Sequence, residues 1–111
     1  MSDRKLLELA VKACQWTLEY DDNERLSWII WSDNNVPIYR WNPLTDDGDA
    51  LRLAVKLGMN IWSGYGTTVA EMPSQAENDH VSFSEHHKDE PYAATRRAIV
   101  RAAAEIGKGM K

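Results

Sequence analysis

Apolar residues recur at helical spacing three times along this chain, and shorter alternating or continuous apolar runs lie between. Leu7, Ala10, Val11, Cys14 and Leu18 share one helical face, with Leu6 and Trp16 beside it. That spacing predicts a first helix, capped by Ser2 and running to about Leu18. Ala50, Leu53, Ala54 and Leu57 recur at i, i+3, i+4 and i+7 and define a second. Thr45 is its expected N-cap, Asp46, Asp47 and Asp49 suit the positive end of its dipole, and Gly58 is a left-handed stop. This helix is specified at both ends and reads as the central one. The third stripe, Tyr92, Thr95, Ile99, Ala102 and Ile106, follows an expected cap at Asp89 or Glu90 with Pro91 in the first turn. Gly107 is its expected end. The alanines beside the stripe, Ala98 and Ala103, would let it lie close to a sheet.

The intervening segments read as strands. Residues 26–31 are rich in aromatic and branched side chains, residues 32–35 have hairpin chemistry, and residues 36–41 pair back, with Pro37 suited to a strand start or an edge. Residues 59–62 and 67–72 make a third and a fourth strand around the Gly64 and Gly66 turn. Residues 73–79 form a polar loop, and residues 80–84 alternate strictly as a short fifth strand with Val81 and Phe83 inward. The expectation is one α+β domain over residues 1–111: a small antiparallel or mixed sheet with three helices, order αββαβββα, in a layered sandwich.

Composition narrows the class. The chain has 111 residues, is 43% hydrophobic and 27% charged, and is long enough for one core without disulfides or metal. No apolar run approaches the roughly 20 residues that span a bilayer, and the N-terminal residues lead into an amphipathic helix rather than a signal peptide. A single cysteine, Cys14, excludes an intrachain disulfide and fits a reducing compartment, so a cytoplasmic location is expected. The net charge of −4 argues against general nucleic-acid binding. Charge is uneven, though: residues 19–24 hold four acids and no base, whereas residues 88–111 hold six bases against three acids.

Two long blocks carry a resemblance. WNPLTDDGDALRLAVKLG at residues 41–58 and DEPYAATRRAIVRAAAEIG at residues 89–107 resemble the signatures of small phage and prophage proteins. They are similar to the group called the phage ABA sandwich, with its related NinX-type accessory proteins; LLELAVKA at residues 6–13 resembles the same proteins. The resemblance implies a small accessory protein of layered helices and sheet, acting in a bacterial host. It brings no reaction and no catalytic residues.

Each candidate site has a structural rival. Asp46, Asp47 and Asp49 could bind a divalent cation, but they lack the spacing of a calcium loop, and carboxylates at a helix start ordinarily cap it. Glu85, His86, His87, Lys88 and Asp89 place ligand types in a row without zinc spacing. No nucleophile elbow, phosphate loop or dinucleotide fingerprint is present. Cys14 falls in a helical core stripe. Of the five tryptophans, Trp28 and Trp31 point to opposite faces of one strand, so one of them could mark a partner surface. Arg96, Arg97 and Arg101 share much of one helix side and could hold an anion or an acidic partner. Their rival role is a solvated face, with Glu105 beside Arg101 at i, i+4 or the acidic turn at residues 21–24 as partners.

From the residues together with what the resemblance implies, the expectation is a noncatalytic accessory protein that binds a host or phage protein, with a homodimer possible in principle, and without cofactor, metal or membrane. Arg96, Arg97, Arg101, Trp28 and Trp31 are its candidate contacts. The alternative is a binder of a nucleotide-like anion, a sponge that blunts host defence. A metal-dependent hydrolase using Asp46, Asp47, Asp49 and His86 ranks last.

Overall fold

In the computed structural model, which describes residues 2–20, 28–64, 66–72, 81–86 and 90–110, the chain opens with α1 (Asp3–Cys14), β1 (Thr17–Tyr20) and β2 (Trp28–Trp31). A 3-10 turn (Asp33–Asn35), β3 (Pro37–Tyr39) and α2 (Asp47–Leu57) follow, then β4 (Asn60–Gly64), β5 (Thr67–Met72), β6 (Val81–His86) and α3 (Pro91–Gly109). The fold is α+β. Among the described residues the strands form two antiparallel three-stranded sheets, β1-β2-β3 and β4-β5-β6, where the sequence suggested one. The loop expected at 73–79, the acidic turn at 21–24, and His80, His87, Lys88 and Asp89 lie outside the described residues.

The extra strand, β1, arises because α1 stops four residues sooner than its apolar stripe suggests. Gln15 takes a left-handed conformation at φ 59°, its N–H bonds the Lys12 carbonyl, and the Trp16 N–H bonds the Val11 carbonyl. This closes the helix as glycine normally would. Thr17–Tyr20 then leaves as a strand, with Leu18 opposite Ile30 of β2. The order is therefore αβββαβββα. Ser2 caps α1, accepting from the Lys5 N–H at 3.2 Å.

At α2 the cap is Asp46 rather than Thr45: its carboxylate accepts from the Asp49 N–H at 2.8 Å, three residues on. Thr45 instead belongs to the turn before it, bonding back to the Asn42 carbonyl. Gly58 ends α2 at φ 67°, and the Met59 N–H folds back to the Ala54 carbonyl. The β3 strand is shorter than expected. Arg40 turns the chain at φ 54°, and Trp41 enters the core from a loop, 1% exposed, with Trp16 edge-on at 6.4 Å between ring centroids.

The central helix is α3, not α2. Ala94, Ala98, Ile99, Val100 and Ala102–Ala104 are buried, and with Gly107 they occupy most of its circumference. It packs against β5 and β6 as well as against α1 and α2. Small side chains allow this approach from several directions: a Cβ on Gly107 would collide with the Leu9 carbonyl of α1. Gly107 accordingly lies inside the helix, which continues to Gly109, instead of ending it. Tyr92, expected on the inner stripe, is exposed: it is the second residue of α3, within the first turn. One contiguous core draws on all three helices, on Ile30 of β2 and on Ala70 of β5. Among the described residues no helix is long and apolar enough to cross a membrane.

Candidate functional site

The narrow exposed strip left on α3 carries Arg97, Glu105 and Lys108, with Arg101 half-buried between them. The three candidate arginines do not converge. Arg96 points elsewhere, towards the turn that precedes α2: its Nε–H donates to the Leu44 carbonyl at 2.9 Å and its Nη1 to Asp47 Oδ1 at 2.6 Å. It therefore clamps α3 to the start of α2, which is a positioning role within the fold.

Arg97 and Arg101 do share a cleft of about 340 Å³, lined also by Leu6, Phe83, Ala104 and Glu105. The Arg101 guanidinium lies over the Phe83 ring, 4.7 Å from its centroid, and donates to Glu85 Oε1 at 2.5 Å. Arg97 Nε stands 3.8 Å from the same Glu85 oxygen, and its Nη1 is 3.7 Å from Asp3. One β6 carboxylate thus serves two guanidiniums, and an incoming anion would have to compete with it. The Arg101–Glu85 pair is part-buried, so an anion entering the cleft would have to displace a carboxylate that is already well engaged. Phe83 and Glu85 were not among the residues the sequence singled out for this cleft. Their alternation on β6 marks two side chains on one face, but only the fold brings that face to α3.

The tryptophan candidates stand apart from the cleft. Trp31 is half-buried on β2, and its indole N–H donates across the sheet to Glu19 at 2.7 Å. The side chain of Trp28 lies outside the described residues. Among the described tryptophan side chains the well-exposed one is Trp62, on β4, at 61%.

The carboxylate cluster is divided among different partners. Asp46 caps α2 and Asp47 holds Arg96. Asp49, buried, accepts from the Asn42 N–H at 2.9 Å and from Arg52 at 3.0 Å. Burial pushes the Asp49 carboxyl above its ordinary pKa, against the opposing pull of the Asn42 N–H. Among the described residues no three of His, Cys, Asp and Glu come together as a metal site. Cys14 is buried in the core, and burial pushes its thiol up to about 12, so it holds no reactive thiolate at neutral pH.

A second surface lies on α2. Leu51 and Val55, at i and i+4, are 64% and 70% exposed. They border a shallow groove of about 360 Å³ whose other apolar walls are Trp16 and Ile38. One end is closed by Lys56, which donates to both oxygens of Asp33 at 2.8 and 3.0 Å. That bond holds the Asp33 carboxyl below its ordinary pKa. In the sequence the α2 stripe identifies the buried face, and Leu51 and Val55, which lie off that stripe, are the signal for an exposed apolar one.

No family model matches this chain, and no curated protein or solved structure shows significant similarity to it.

Proposed function

We propose that this chain is a noncatalytic accessory protein of phage or prophage origin, which acts in the bacterial cytoplasm by binding a host or phage protein through the outer face of α2. The observation that carries this reading is the exposed Leu51 and Val55 pair beside an apolar groove. Solvated helix faces normally carry polar residues, and contiguous apolar surface rimmed by charge is characteristic of partner sites. Arg52, and Lys56 with Asp33, supply that rim. The phage assignment rests on the resemblance of the blocks at residues 41–58 and 89–107.

Affinity capture from phage-infected or lysogenic cells tests the reading, with the wild type compared against the double variant Leu51→Glu, Val55→Glu. Both positions are solvent-exposed, and the fold of the variant is checked by circular dichroism. A protein retained by the wild type and lost from the variant is expected. Equal retention by both, or none by either, overturns it.

The alternative, a binder of a nucleotide-like anion, is favoured by one observation: two guanidiniums, one stacked on Phe83, in a single cleft. A ligand at a hundredfold excess over its Kd stabilises a protein by about 2.7 kcal/mol. Under that reading a nucleotide panel raises the melting temperature of the wild type and not that of Arg101→Ala.

A further inference from the structure

We propose that β4 is an interface between two copies of this chain: the β4 strands of two protomers pair edge to edge, antiparallel about a two-fold axis at Trp62, and join two three-stranded sheets into one of six strands. This surface is separate from the α2 face, and the proposal does not depend on the reading given above.

Among the described residues the four sheet edges differ in how they resist such pairing. An edge strand presents unpaired N–H and C=O groups to any incoming strand, and proteins protect such edges with charge or proline. Of the edges, β1 carries Glu19, β3 begins at Pro37, and β6 carries Glu85 and His86. Among the described residues, β4, Asn60-Ile61-Trp62-Ser63-Gly64, is the one edge strand with neither charge nor proline. It also exposes large apolar side chains on both of its faces, Ile61 at 40% and Trp62 at 61%. Trp62 is held in place by its own strand: its indole lies across Gly64, where any Cβ would collide with the ring. A glycine covered by a neighbouring aromatic in this way is a stabilising device of sheets, and it presents the ring as a fixed apolar plate.

A second copy is the occupant this edge fits. With Trp62 on the axis, Trp62 faces its counterpart, Ile61 faces Ser63 and Asn60 faces Gly64, so no charge meets a like charge and the apolar groups meet at the centre. Self-pairing of β1 or β6 would instead bring Glu19 or Glu85 close to its own copy. A five-residue ladder with two indoles buries less than the roughly 1,200 Å² of a stable interface, so the dimer forms with rising concentration rather than permanently.

The test is light scattering on the full chain across micromolar to millimolar concentration, together with oxidation of variants that each carry one introduced cysteine. The wild-type mass is expected to rise from 12.7 kDa towards twice that value. Ile61→Lys with Trp62→Lys is expected to stay monomeric, its fold checked by circular dichroism. Trp62→Cys is expected to oxidise to a covalent dimer, since cross-strand partners lie within disulfide reach. Ser84→Cys, on the far strand of the same sheet, is expected not to. Cys14 is buried and does not compete. A wild type that stays at 12.7 kDa throughout overturns the proposal. So does a dimer that survives both lysines, one that is lost instead in Leu51→Glu, Val55→Glu, or a Ser84→Cys probe that links as readily as Trp62→Cys.

Discussion

Of the three aspartates at the start of α2, each with its own partner, Asp49 is the buried one. Its carboxylate closes the turn at Asn42 and receives Arg52, yet it is nearly out of water, and burial raises its pKa above the ordinary 3.8. An acid whose folded pKa is raised binds more protons folded than unfolded. Its contribution to stability is therefore greatest at low pH, where it is protonated in both states, and falls as pH rises from 3.8 through the folded value. Asparagine can still accept from the Asn42 N–H without an ionisable group. Chemical denaturation between pH 3 and 7 should show the stability of the wild type relative to Asp49→Asn falling as pH rises. A difference that is flat or grows with pH would contradict the assignment. The three aspartates are legible in the sequence as helix-start residues, because capping is local. Their partners are not: Arg96 lies 49 residues from Asp47, and no local pattern encodes that pair.

At the scale of elements, the legible parts are those whose determinants lie within a few residues of each other. Whereas the start of α2 falls one residue later than expected, Asp46 capping in place of Thr45, its end at Gly58 and its buried stripe follow from local spacing. The end of α1 does not, because Gln15 adopts the left-handed conformation without the glycine that advertises it. The sequence marked Gly107 as a helix stop because glycine usually is one; here its missing Cβ serves packing, since α1 crosses α3 against it. In an exposed helix Gly→Ala stabilises by about 0.5–1 kcal/mol. At residue 107 the sign should reverse, because the methyl would meet backbone rather than a movable side chain. Thermal unfolding should place Gly107→Ala below the wild type, whereas Gly109→Ala, with open space around it, should not fall with it. An unchanged or raised melting temperature for Gly107→Ala would mean that α1 and α3 do not approach as described.

For the whole molecule, the layered α+β character was readable and the arrangement of layers was not. Strand patterns identify strands, but what splits them into two sheets is the chain path through α2, and what makes α3 central is the alanine content that lets four neighbouring elements reach it. Centrality leaves α3 only a thin exposed strip, with its arginines already engaged by Glu85, Asp3 and Asp47. The proposed partner surface therefore lies on α2, whose outer face keeps Leu51 and Val55 in solvent. The most direct test is a photo-crosslinking residue placed at Val55 in the full chain, activated in phage-infected or lysogenic cells, with Glu105 in the arginine cleft as the comparison position. The account predicts a discrete protein adduct from position 55 and none of the same mass from position 105. No adduct from 55, or the same adduct from both, would contradict it.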